Sequence, residues 1–215
     1  MTSLEDRVKQ EKESIQSLEL DAQLWKTLST LKAEDVCRRS LASYDSHLHC
    51  YQVQVLNESY QVFPRDVAIH RADDQKASLS IELRLLILQY LVRAKDLSPV
   101  GKWITEKELK NGEMFYRGVH SLGMFKNPLE ERFGNFPDHF LEAGLSIGGD
   151  KVDYGDVGLE FQVLPRIPAL FILWAADNEF PAKVNILFDP TIEHHLALDT
   201  IWGLVRVITF KLLDA

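Results

Sequence analysis

The chain has 215 residues and a formal net charge of -8, with 46% hydrophobic and 26% charged residues. That length and apolar content suit one large domain, or a domain with a helical arm, burying its core without disulfide staples. The acidic balance argues against a phosphate-backbone partner, which needs clustered Lys and Arg, and against docking on anionic lipid, so nucleic acid and membranes are set aside.

Two cysteines, Cys37 and Cys50, are too few for a disulfide framework. The opening "MTSLEDRVKQEKESIQ" lacks the apolar segment of a signal peptide. No apolar run reaches the ~18 residues of a membrane span. The nearest, "ALDTIWGLVRVITFKLL", is interrupted by Asp199, Arg206 and Lys211. A cytoplasmic location with reduced thiols is the expectation.

In chain order, Leu4, Val8, Ile15, Leu18, Ala22, Trp25 and Leu28 form an apolar stripe that predicts a long helix over residues 4–30. Its partner is either the body of the domain or a second copy of the arm. A second helix is predicted over 32–43. "LHCYQVQVL" and "ESYQVF" alternate and predict a β-hairpin turning at Asn57-Glu58, with "DVAIH" as a short third strand. "SLSIELRLLILQYLVRA" predicts a central helix with one thin polar stripe, Glu82, Gln89 and Arg93. Arg84 falls among Ile87, Leu88 and Leu91 on the apolar side.

Residues 95–150 are irregular and glycine-punctuated, with short helices expected near 105–110, 113–124, 127–133 and 137–145. "GLSIGGDKVDYGD" reads as a turn region; it lacks the Gly-Lys-Ser/Thr ending of a phosphate loop. "VGLEFQVLP", "ALFILWAA" and "AKVNILFD" predict three more strands, and residues 197–213 a last helix. Grouped strands and helices predict an α+β fold: a mainly antiparallel sheet, a buried central helix, a C-terminal helix and a long N-terminal helical arm. The expected division is an arm at 1–43 and one domain at 44–215.

Two blocks, "YLVRAKDLSPVGKWITEKELKNGEMF" and "LPRIPALFILWAADNEFPAKVNILFD", resemble the uncharacterised family numbered 3786 among the domains of unknown function, over roughly residues 45–210. Such proteins are expected to carry Gly before the acidic stretch Asp177-Asn178-Glu179, where this chain has Ala176. The resemblance implies an anaerobic setting, with iron–sulfur or redox proteins as partners and a tetrapyrrole (corrinoid or haem) as ligand. It implies no catalytic residue.

The residues offer three kinds of site. First, Asp177 and Glu179 would share a strand face, as a carboxylate pair able to divide acid and base roles or hold Mg²⁺ or Ca²⁺. Asp177-Asn178 is equally a turn pair, and Asp189 before Pro190 reads as a helix N-cap. Second, His47-x-His49-Cys50 resembles a metal clip but supplies too few ligands for zinc, and the adjacent His194 and His195 diverge on a helix. Third, a tetrapyrrole needs one axial ligand and an apolar slot. His120 lies among Met114, Phe115, Tyr116, Met124 and Phe125, and His70 and His139 are the other single histidines. Arg84, on an apolar face, needs an anion, either an internal carboxylate or a ligand's propionate. Arg166, between Pro165 and Pro168, is the second candidate anion binder or else an exposed loop arginine.

The favoured function is a soluble, non-catalytic cofactor-binding protein holding a tetrapyrrole with His120, Arg84, Arg166, Phe115, Tyr116 and Met124. One alternative is a hydrolytic or metal-assisted enzyme at 177–189. The other is a homo-oligomeric structural module joined through the N-terminal helix.

Overall fold

A computed structural model describes residues 4–215, with side chains from residue 17 onward except that of Val119. It is an α+β fold with two four-stranded antiparallel sheets. Helix α1 (Leu4–Thr30) and helix α2 (Ala33–Ser40) precede the first sheet. That sheet is β1 (Ser43–Asp45), β2 (Cys50–Val55), β3 (Glu58–Phe63) and β4 (Ala68–Arg71), in sequence order. Helix α3 (Ile81–Arg93) follows. A helical stretch then carries two 3₁₀ turns (Glu106–Glu108, Gly118–His120), α4 (Gly112–Phe115), α5 (Gly123–Phe133) and α6 (Pro137–Ser146). The second sheet is β5 (Gly149–Val152), β6 (Val157–Leu164), β7 (Ile167–Trp174) and β8 (Lys183–Phe188). Short α7 (Ile192–His195) and long α8 (Leu198–Asp214) end the chain.

Helix α3 is the hub. Leu86, Ile87, Leu88, Tyr90 and Leu91 are fully buried, and the helix touches α1, α2, α7 and α8. Ser80 starts it by accepting the Leu83 N–H, as an N-cap should. Of the expected polar stripe, Gln89 is in fact buried and accepts the Ala197 N–H at 2.7 Å, while Arg93 is exposed.

The side of α1 that packs on α3 differs from the expected stripe. Leu24, Trp25 and Leu28 are buried, but Leu18 is 61% exposed and Ala22 is also exposed. The contact follows positions 21, 24, 25 and 28, because one side of a helix repeats at three and four residues. The side chains of Leu4, Val8 and Ile15 lie outside the described residues. Leu24, Trp25, Leu28 and Val36 belong to the same core cluster as the sheets.

The sheets meet at the β2–β3 turn. Val55 pairs with Glu58, so the loop is Leu56-Asn57, one residue earlier than expected. Leu56 has φ +53°, a left-handed geometry that a branched residue adopts rarely. It is held there by burial and by its N–H bond to the Val163 carbonyl in β6. Strand β7 is buried on both faces up to Trp174. Pro168 is tolerated in it because β7–β8 pairing begins one residue later, at Ala169 with Phe188. On the outward side of β8, Val184 N–H donates to Glu130 and Phe188 N–H to Ile104.

Two strands escaped the sequence reading. β1 is three residues long, next to a helix that stops at Ser40 rather than 43. β5 lies inside the presumed turn region. Its glycine is there for close approach: a Cβ on Gly149 would sit 2.5 Å from the Phe161 ring. The helices expected at 113–124 and 127–133 are also redrawn. The first is broken into α4 and a 3₁₀ turn, and α5 runs unbroken through Pro128, anchored by buried Phe125, Leu129 and Phe133.

Candidate functional site

A cleft of about 460 Å³ opens between the first sheet, the start of α3 and the end of α8. That is within the size range of small-molecule sites. Strand β3 supplies Glu58 and Tyr60, which share a face because they are two apart. Arg71 comes from β4, Glu82 from the first turn of α3, and Arg206 and Lys211 from α8. Leu79, Leu83, Val207 and Phe210 form the apolar part of the wall.

Glu58 is the electrostatic centre. It accepts the Tyr60 hydroxyl at 2.5 Å and Lys211 Nζ at 2.7 Å on Oε2, and Arg71 Nη1 lies 3.5 Å from Oε1. Burial raises its pKa, but the bonds from Lys211 and Tyr60 outweigh burial and hold the carboxyl below its usual range. Burial and the neighbouring Glu58 carboxylate push the Tyr60 phenol well above its ordinary value. Neither group exchanges a proton near neutral pH, so the trio is a fixed polar brace.

Arg71 and Lys211 are tied down. Arg71 also pairs with Asp73 at 2.6 Å and Asp74 at 3.9 Å. Arg206 is held more loosely. Its one ion pair among the described residues is Nε to Glu82 Oε1 at 3.4 Å. Its guanidinium lies over the rings of Phe210 at 5.3 Å and Trp202 at 5.9 Å. This cleft was missed from the sequence. The signal was Trp202-x₃-Arg206-x₃-Phe210, one ridge of α8, and the charges that interrupt its apolar run.

The residues singled out beforehand lie elsewhere, in separate places. Arg84 bonds both carboxylate oxygens of Asp21 in α1, at 3.0 and 3.2 Å, which is the internal partner its position required. Arg166 is buried, in contrast to an exposed loop arginine. It donates to the Arg38 and Arg39 carbonyls at the end of α2 and to Asp96 at 2.6 Å. His120 stacks on Phe115 at 4.5 Å and meets Trp202 edge-on at 6.0 Å. Tyr116 is buried with its hydroxyl on the Leu198 carbonyl, and Met124 is 51% exposed. Phe115, Tyr116 and His120 thus share one aromatic cluster, while Arg84 and Arg166 each sit with their own carboxylate.

Asp177 and Glu179 are exposed in the β7–β8 turn. Asp177 Oδ1 accepts the N–H groups of Glu179 and Phe180, which holds its carboxyl below the usual range. The turn geometry therefore accounts for Asp177. Asp189 is buried. The N-cap of α7 is Thr191, so Asp189 is not the expected cap; it accepts instead from Thr191 N–H and Oγ1 and from the N–H groups of Gly101 and Lys102. His47 and His49 fall in the β1–β2 turn rather than on a strand, with both imidazoles exposed and Cys50 buried. No group of three His, Cys, Asp or Glu side chains suited to a metal occurs among the described residues. His70 lies against Phe63 and His139 stacks on Phe136.

The fold and cleft define a two-sheet α+β domain with a charged pocket at one end of its first sheet. The chain belongs to the family described as "Domain of unknown function (DUF3786)", which matches residues 32–211 and so takes in α2 and β1 as well. No curated protein and no solved structure matches the chain. No described helix is long and apolar enough to cross a membrane.

Proposed function

We propose that this domain is a non-catalytic binding protein whose small-molecule ligand occupies the cleft between β3, β4, α3 and α8. The cleft itself carries this reading: it is concave, part apolar, and lined by converging charged groups, as ligand sites are. Its half-buried hydroxyl–carboxylate pair, Tyr60 with Glu58, is tuned away from proton transfer near pH 7, which favours holding over turnover.

A tetrapyrrole remains the cofactor that the sequence resemblance brings forward, from an anaerobic setting with redox partners. In the cleft it would be held through an acidic side chain against Arg206, the one cleft cation not tied to Glu58, because no His, Cys or Met lines the walls. Axial ligation by His120 belongs to the separate aromatic cluster.

Thermal unfolding of the purified protein with haem, hydroxocobalamin and small organic acids tests the proposal. At a hundredfold excess over Kd, a ligand should raise Tm by roughly 5 °C or more. Ser78→Trp, at an exposed cleft position, should abolish the rise. A rise unaffected by Ser78→Trp, or a haem spectrum that becomes histidine-ligated, would move the ligand out of the cleft.

A further inference from the structure

We infer that the cleft takes a free amphiphilic acid, with Arg206 receiving its carboxylate or phosphate group and Glu82 acting as the internal stand-in that the ligand displaces. The inference rests on the cleft being the ligand site, and adds the ligand's chemical class and the residue that selects it.

Three cations line the cleft, and their partners separate them. Lys211 is 2.7 Å from Glu58, and Arg71 faces three carboxylates, Glu58, Asp73 and Asp74. Freeing either would leave Glu58, a half-buried carboxylate, short of a partner, which is costly. Arg206 has only the 3.4 Å contact through Nε, and its two terminal nitrogens have no hydrogen-bond partner among the described residues. Its side chain is 40% exposed, so the Glu82 pair is screened by water and weak. The rings of Trp202 and Phe210 meanwhile lie within cation–π reach of the guanidinium.

A guanidinium flanked by two rings with its terminal nitrogens free is suited to two-point recognition of a carboxylate or phosphate. Beside it, Leu79, Leu83, Val207 and Phe210 provide apolar wall for the rest of the ligand. The ligand must therefore be acidic at one end and apolar at the other. Glu82 comes free when the acid binds, and the start of α3 keeps it favourable there, since carboxylates are stabilised near a helix N-terminus.

The test is calorimetric titration with octanoate, octyl phosphate and neutral octanol, with thermal unfolding confirming that each variant folds. Wild type should bind one or both acids at least tenfold more tightly than octanol. Arg206→Gln should weaken acid binding tenfold or more and leave octanol unchanged. Arg206→Lys, which keeps the charge but not the fork, should fall between. Glu82→Gln should tighten acid binding severalfold, an effect that a merely structural Arg206 would not produce. Octanol binding as tightly as the acids, acid binding untouched by Arg206→Gln, or acid binding weakened by Glu82→Gln would each overturn the inference and leave the cleft reading intact. No binding of any of the three would overturn the inference, and the cleft reading would fail separately only if the tetrapyrrole and small-acid panel also gave no Tm rise sensitive to Ser78→Trp. Sedimentation with phosphatidylglycerol vesicles should leave the protein in the supernatant; pelleting would make the ligand a membrane lipid and overturn the free acid.

Discussion

His195 is fully buried, and its Nδ1 accepts the Lys95 N–H, while Nε2 has no partner among the described residues. Burial, then the charges of Arg166 and His194, push its pKa down to about 4, against a smaller opposing effect of Asp189. The folded state therefore disfavours the protonated ring, and its stability is complete above the unfolded value of 6.5. Stability should fall by up to about 3 kcal/mol as pH drops from 6.5 to 4, and then level off. Urea unfolding across that range should show the slope, and His195→Asn, which keeps an acceptor for Lys95 but does not titrate, should flatten it. The depressed carboxyls of Glu58 and Asp189 act at lower pH, below their own unfolded values. The divergence of His194 and His195 was legible from adjacency alone. That His195 would be the buried one was not, because only the docking of α7 on α3 decides which ring turns inward.

Between elements, α1 and α3 are joined by an apolar seam that holds, among the described residues, one ion pair, Asp21 with Arg84. Asp21→Ala should destabilise the fold by about 1–3 kcal/mol, since it leaves a half-buried guanidinium without its acceptor. Asp21→Ala with Arg84→Leu should recover much of the loss, because replacing both charges by apolar groups removes the desolvation cost. Equilibrium unfolding of the two variants separates these outcomes. The need for an anion at Arg84 was legible, since the wheel placed it on an apolar side; its partner was not, because Asp21 lies 63 positions away. Most long helices and strands were legible from periodicity. Those missed were short, or, like β5, were held in place by glycines that signal a turn in sequence and tight contact in space.

At the scale of the molecule, both sheets and all long helices contribute to one buried cluster, and the turn at Leu56 is bonded directly to β6. Unfolding should accordingly be a single transition, with tryptophan fluorescence and far-ultraviolet circular dichroism coinciding along the urea axis; two separated midpoints would mean that the sheets melt independently. The α+β class was legible, but the split into two sheets was not, because strand patterning says which face is buried and is silent on which strands are neighbours. The same architecture leaves each sheet with two outer strands, the usual starting points for unwanted strand addition. On β8, Glu130 and Ile104 already engage the outward N–H groups of Val184 and Phe188. A foreign strand approaching β8 would have to displace both before gaining a ladder, so this border resists self-association although its inward face is almost wholly apolar.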